Sequence, residues 1–328
     1  MMLTRRVSGP TDPVISAAAS LLRGGGLVAF PTETVYGLGA DGLNPEAVAR
    51  IYAAKGRPTT NPVILHVDGV ASARALVSHW PHEAKLLVER FWPGPLTLVL
   101  PASEVVPAIV RAGGPSVALR CPAHPVALAL IRATGRPLAA PSANRSQHLS
   151  PTLAGHVASS LGDAVDLILD GGPTAAGLES TILDLSAGQP RILRPGPVTP
   201  AEIAAIIGPV VLWEGAVPAS EIQPAPGMAE RHYAPRARLE LVARGAGLKA
   251  SAGRVAYVGL GSLPPLPDGV RGILLPLDAE LVGTRIYALL HELDDEGFER
   301  VVMEQPPEGE AWLALRDRLW RASAKETP

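Results

Sequence analysis

Over the first 208 residues, apolar positions recur alternately at helical spacing and in short unbroken runs. Asp12-Pro13 is a helix start, with Asp12 as N-cap and the proline in the first turn, where its missing N–H is not needed. Ile15, Ala18 and Leu22 then share one face, and Gly24-Gly25-Gly26 ends the helix. Asn44-Pro45-Glu46 repeats the signal, with Val48, Ile51 and Tyr52 facing inward. Residues 124–133 and 150–161 predict further helices, the second capped by Ser150-Pro151. Between the helices lie runs of strand length at 27–36, 62–67, 96–100, 116–120, 137–140, 167–170 and 180–185. Pro31 makes the first of these an edge or bent strand, because proline cannot donate to a ladder. Strands alternating with helices predict an α/β open sheet.

The texture changes at about Gly208. Residues 209–236 are rich in Pro, Ala and Gly without sustained periodicity, and read as a linker. A smaller βα pattern follows over 237–328. RVAYVGLGS, RGILLPL and ERVVMEQ predict strands; ALLHELDDEG and GEAWLALRDRLWRASA predict helices. The expected organisation is therefore an α/β domain over 1–208, a linker over 209–236 and a compact Rossmann-like domain over 237–328.

Composition narrows the function. A chain of 328 residues accommodates two domains of ordinary size. Its apolar runs are too short to span a bilayer, and no apolar stretch follows the N-terminal arginines as in a signal peptide. The single cysteine, Cys121, excludes an internal disulfide and a cysteine metal cage, and fits a reducing cytoplasm. A net charge of -2 and 4% aromatic residues count against a chain built mainly to grip nucleic acid.

Candidate chemistry concentrates at strand ends. Gly37-Leu38-Gly39-Ala40-Asp41-Gly42 has the spacing of a dinucleotide fingerprint. The strand before it is polar, and the ribose-binding acid is missing some twenty residues on, so it reads as a glycine turn between strand and helix. Lys55-Gly56-Arg57 places a mobile point charge and a planar fork at a helix end. That pairing suits polyphosphate oxygens or, more simply, the helix dipole. Ser142 and Asn144 follow the strand PLAA on a turn, where open sheets place ligand-binding groups. Arg120 and Arg194 are further cations at strand ends. Cys121 and His124 lack a third member for nucleophilic catalysis, and no histidines have metal-ligand spacing.

The blocks FPTETVYGLGAD, AKGRPTTNPVILHV, FWPGPLTLVL, SVALRCPAHPVA, PLAAPSANRS, GLESTILDL and ILRPGPVT occur in this order. With them the sequence resembles the Sua5/YrdC/YciO family, and PGMAERHYAP resembles the linker of its two-domain Sua5-type members. The resemblance implies a YrdC-like twisted open mixed sheet with helices, followed by a smaller α/β Sua5 domain. It implies a nucleotidyltransferase that joins L-threonine, bicarbonate or CO2, and ATP into threonylcarbamoyl-AMP, releasing pyrophosphate. A separate tRNA threonylcarbamoyl transferase would use the product on adenosine 37 of ANN-decoding tRNAs.

Carried over by motif, Lys55 and Arg57 are the expected phosphate-neutralising, catalytic pair. Asn61, Ser116, Ala140, Ser142, Asn144, Arg194 and Tyr233 are the expected ATP contacts. Thr32, Thr34, His66, Arg120 and Ser180 resemble the threonine-binding set, with Arg120 pairing bidentately with the carboxylate. The two threonines are two residues apart, so both can face the pocket. Mg2+ is expected through the ATP phosphates and not at a protein-held site. Arg231, His232 and Tyr233 are expected to close over the pocket as a lid that excludes water. One departure stands out. Gln147 occupies the place of a family glycine after Asn144, removing easy access to positive φ. A carbamoyl-adenylate-forming enzyme on the same fold would need zinc-finger cysteines that this chain lacks. An RNA-binding module would need a basic excess.

Overall fold

In the computed structural model, which describes residues 3–324 other than 187, 214, 216, 218–220 and 249–252, the local signals form helices where their caps predict. The Asp12 carboxylate accepts from the N–H of Val14 at 3.0 Å, and that helix runs Pro13–Arg23. The Asn44 side chain accepts from the N–H groups of Glu46 and Ala47, starting Pro45–Lys55, which ends on left-handed Gly56. The helix Pro125–Thr134 is capped by His124. The helix expected over 150–161 starts later, at Ala154, with Leu153 as N-cap. Ser150 cannot cap it because its hydroxyl is turned to the carboxylate of Glu179. Helices Val70–Arg74, His82–Phe91 and Pro200–Ile207 lie outside the sequence expectation, although Thr199 and Glu202 make a complete capping box for the last.

Eleven strands form the first sheet. They are β1 (Leu3–Arg6), β2 (Val28–Phe30), β3 (Gly37–Asp41), β4 (Ile64–His66), β5 (Leu96–Pro101), β6 (Ser116–Arg120), β7 (Leu138–Ala139), β8 (Leu167–Asp170), β9 (Thr181–Asp184), β10 (Arg191–Arg194) and β11 (Val211–Leu212). Their order is β1-β8-β2-β3-β7-β4-β6-β5-β9-β10-β11. Pairing is mixed: β4–β6 and β5–β9 are parallel, whereas β2–β3, β3–β7 and β5–β6 are antiparallel.

Two sequence expectations change here. The segment 27–36 is not one strand at an edge. β2 stops before Pro31 and lies inside the sheet between β8 and β3, so the proline removes no ladder bond. The glycine-rich run beginning at Gly37 is a strand, not a turn. Its glycines are there for closeness: a Cβ on Gly39 would meet Phe30 Cε1 at 2.7 Å.

The second sheet is parallel throughout, in the order β12-β15-β13-β14, from β12 (Arg238–Val242), β13 (Val255–Leu260), β14 (Arg271–Leu275) and β15 (Arg300–Glu304). Helices Ala279–Asp295 and Leu313–Ser323 accompany it. The two units share a core, because Val35, Leu149 and Leu178 pack with Ile286, Leu290 and Leu315. Some of the described residues within 209–236 are packed as well. β11 extends the first sheet, and Val217, Ala225 and Met228 bury against Ile64, Val99 and Ile182. Among the described residues no helix is long and apolar enough to cross a membrane.

Candidate active site

Short strands end together at one cavity. Its wall receives His66 from β4, Arg120 from β6, Ala140 and Ser142 just past β7, and Arg194 from β10. Glu179 and Ser180 enter from the loop before β9, Arg57 from just beyond helix Pro45–Lys55, and Thr32 and Thr34 from the β2–β3 turn. The segment 226–233 covers it with Pro226, Gly227, His232 and Tyr233. A side chain at Gly227 would collide with the Tyr233 hydroxyl, its Cβ lying 2.4 Å away, so only glycine lets this segment close.

Both threonines face the cavity, though through a turn and not through strand alternation. Thr32 Oγ1 donates to the carbonyl of Val35 at 2.6 Å and lies 2.9 Å from Thr34 Oγ1. It also accepts from the N–H groups of Thr34 and Val35. His66 is buried, and its Nδ1 has no hydrogen-bond partner among the described residues. Burial, and then the Arg120 charge, push its pKa down to about 3, so the ring is neutral.

Arg120 is nearly inaccessible and lies 2.7 Å from Glu33 Oε1 through Nη2. That contact is an ion pair without hydrogen-bond alignment among the described residues, and Arg120 Nε donates to the Gly94 carbonyl at 3.3 Å. Glu33 Oε2 is held by the Ala123 N–H.

Arg57 and Arg194 form a second cationic group. Arg57 donates to the Asn61 carbonyl at 3.0 Å, to Asn61 Oδ1 at 2.5 Å and to the Pro62 carbonyl at 2.6 Å. Asn61 thus orients Arg57 and does not itself line the cavity. Arg194 donates to the Ser180 carbonyl at 3.1 and 3.0 Å and to Ser180 Oγ at 3.2 Å; Thr97 Oγ1 lies 2.7 Å from the same hydroxyl. Burial lowers the pKa of Arg57 to about 10 and also lowers that of Arg194.

Lys55, Asn144, Ser116 and Arg231 are not part of the cavity wall. Lys55 Nζ donates to the carbonyls of Ser142 (2.5 Å) and Asn144, so the ammonium is turned into the loop. Burial, reinforced by Arg57, pushes its pKa well below the ordinary lysine value. Asn144 Nδ2 donates to the carbonyls of Arg145 (2.9 Å) and His148 (2.7 Å), which shapes the same loop. Ser116 begins β6, whereas Arg120 ends it; four residues at about 3.3 Å each put them roughly 13 Å apart. Arg231 faces the groove beside β12.

His232 and Tyr233 are buried in the lid, their rings 4.0 Å apart. Among the described residues neither His232 Nδ1 nor the Tyr233 hydroxyl has a hydrogen-bond partner, which leaves both polar atoms for a ligand beneath. Burial, then the charges of Arg57, Lys55 and Arg194, keep His232 neutral. The replaced glycine is explained here too: Gln147 adopts φ 69°, the conformation a glycine would take freely, and its carbonyl accepts the lid's Ala234 N–H at 2.9 Å.

Glu33, Thr97, Glu179 and Gly227 belong to the site but were not anticipated. Glu33 and Glu179 sit inside matched blocks, where their charge was the available signal. Thr97 gives none, since a threonine in an apolar strand is ordinary. Among the described residues no group of three or more His, Cys, Asp or Glu could hold a metal ion.

The Sua5/YciO/YrdC family model, described as "Telomere recombination", matches residues 20–196. The model for the "Threonylcarbamoyl-AMP synthase, C-terminal domain" matches residues 198–324. The chain is 42% identical to a threonylcarbamoyl-AMP synthase of Pyrococcus abyssi, over 94% of each chain. It is 40% identical to one of Bacillus subtilis, over 95% of this chain and 93% of the other. The crystal structure of P. abyssi Sua5 complexed with L-threonine superposes with a TM-score of 0.87 at 38% identity, covering 98% of this chain and 97% of that one.

Proposed function

The chain belongs to the Sua5/YciO/YrdC family of threonylcarbamoyl-AMP synthases, in its two-domain form, and from that premise we propose how its pocket works. The activity is that of the family, a nucleotidyl transfer that makes an adenylate for tRNA modification. The substrates in our reading are L-threonine, bicarbonate or CO2, and ATP.

One observation carries the reading. Three buried arginines and two buried threonine hydroxyls converge on a single cavity beneath a lid with two unpartnered polar atoms. Arg120, on the cavity wall, takes the amino-acid carboxylate, while Thr32, Thr34 and Ser180 hold the remaining polar groups. The carbamate oxygen formed on the threonine nitrogen then attacks the α-phosphorus of ATP. The P–O bond to the β-phosphate breaks, and pyrophosphate leaves with that electron pair.

An anion is approaching a polyanion in this step, so neighbouring positive charge and fixed alignment lower the barrier. Arg57 and Arg194 supply that charge, Ser142 contacts phosphate, and Lys55, Asn61 and Asn144 hold those groups in place. Mg2+ would be carried by the polyphosphate oxygens, where it supplies further charge neutralisation. His232 and Tyr233 close over the nucleotide and keep water from the carbamate.

The product passes to a separate transferase that acts on tRNA. A net charge of -2 supports no strong nucleic-acid binding by this chain, and its one cysteine, free and buried, supports a cytoplasmic setting. Pyrophosphate release from ATP, measured with threonine and bicarbonate each present or omitted, should require all three substrates. Release that ignores threonine would overturn the reading.

A further inference from the structure

One of the most deeply buried charges in the described structure lies outside the catalytic domain. Arg318, 1% exposed, projects from helix Leu313–Ser323 of the C-terminal domain. Leu315, Leu319 and Ala322 bury the helix in the core that the two units share, while Arg318 reaches across the junction. Its Nε donates to Glu179 Oε2 at 2.8 Å, and its Nη2 donates to the Pro195 carbonyl at 2.9 Å.

Glu179 precedes Ser180, and Pro195 follows Arg194, whose guanidinium is hydrogen-bonded to Ser180. One side chain therefore holds both flanks of the Arg194–Ser180 pair. The Arg318 guanidinium carbon also lies 5.0 Å from the centroid of the Tyr233 ring, which is stacked against Tyr287 on its own account. The next turn of the helix grips the lid backbone. Arg321 Nη1 donates to the Ala229 carbonyl at 2.5 Å, and the Arg321 carbonyl accepts the His232 N–H at 3.3 Å.

A scaffold needs no charge at such a place, because burying ions is unfavourable unless each is fully partnered. Arg318 is so partnered, by Glu179, Asp317 and a carbonyl, and all but Asp317 belong to the catalytic domain. We propose that Arg318 is a positioning residue for the adenylation, through which the C-terminal domain holds the Tyr233 lid closed and keeps Ser180 and Arg194 aligned. This rests on the reading that the cavity binds nucleotide and threonine beneath that lid. It assigns the C-terminal domain a part in the reaction cycle beyond tethering the lid.

Arg318→Lys keeps the charge and loses the fork that spans Glu179 and Pro195. Hydrogen exchange in the ligand-free protein should show at least tenfold weaker protection of the lid amides of His232 and Ala234, with the β13 amides of Val258 and Leu260 unchanged. The kcat/KM for ATP should fall at least tenfold, and this loss should largely vanish in a Tyr233→Ala background. Unchanged lid protection overturns the proposal, as does equal loss in lid and β13, which marks a merely structural residue. Losses that multiply with Tyr233→Ala overturn it as well. If Arg318→Lys does not fold, Glu179→Gln/Arg318→Met removes both charges together and is held to the same criteria. Exchange is read without substrate, so it tests the clamp alone; absence of threonine-dependent release in the unaltered protein would instead count against the proposed reaction.

Discussion

Lys55→Met separates two roles that a cation near a phosphate site can have. Lys55 is 3% exposed and its nitrogen donates to the carbonyls of Ser142 and Asn144; the Ser146 N–H in turn donates to the Lys55 carbonyl at 2.8 Å. Methionine fills a similar volume without a donor. It strands two carbonyls, at about 1–3 kcal/mol each. Relief from burying an ammonium offsets part of that loss. The offset is limited, because a neutral amine still has two N–H groups for two carbonyls. The net expectation is a destabilisation of about 3 kcal/mol, or roughly 5–10 °C in the melting temperature of a domain this size. Differential scanning calorimetry without nucleotide measures it, and the KM for ATP should rise about tenfold as Ser142 shifts. Were Lys55 a free phosphate-binding cation, removing it would leave the empty protein as stable or more so. An unchanged or raised melting temperature with ATP affinity lost would refute the anchoring role.

Further expectations follow from the same geometry. Arg120→Lys should raise the threonine KM at least tenfold with little change for ATP in steady-state kinetics, because a point charge cannot replace a fork on a carboxylate. His66 is depressed to about 3, so its neutral form favours the fold; this contribution is complete above about pH 6.5 and is lost as pH falls from there towards 3. Urea unfolding should therefore show less stability at about pH 5.5 than at about pH 7.5, and His66→Gln should narrow that difference by on the order of 1 kcal/mol, His156 and His232, depressed as well, keeping the remainder. Gln147→Val should destabilise by about 1–2 kcal/mol in thermal melts, whereas Gln147→Gly should stay within about 1 kcal/mol of the parent. Deleting residues 226–235 should abolish adenylate yield measured by chromatography, and unchanged yield would remove the lid from the reaction.

The strained Gln147 joins the segment covering the cavity to the loop after Asn144. Its carbonyl points at the lid because φ is 69°, and His148 forms a bridge with Ala234 beside it. A residue that pays for a left-handed backbone persists where its surroundings hold it there. The loop is also fastened from below by Lys55 and Asn144. Loop shape and lid closure are therefore coupled through adjacent residues.

What the chain alone determined is local or blockwise. Asp12 and Asn44 set helix starts because a cap needs only the next two or three residues. Apolar runs such as 116–120 and 167–170 are strands because their burial on both faces leaves no other pattern. Motif blocks named Arg57, Ser142 and Arg194 for ATP and Thr32, Thr34, His66, Arg120 and Ser180 for threonine before any fold was known, and all eight line one cavity. Tertiary structure decided what each does there. Lys55 turned from phosphate to carbonyl because two residues nearly ninety positions on came within its reach. Gly39 became strand because Phe30 lies against it, a contact that spacing cannot express. Arg318 meets Glu179 across 139 residues, and a charge in the last helix gave no local sign of where it would be neutralised. Caps and strands are short-range decisions, whereas the state of a buried charge depends on every group packed around it.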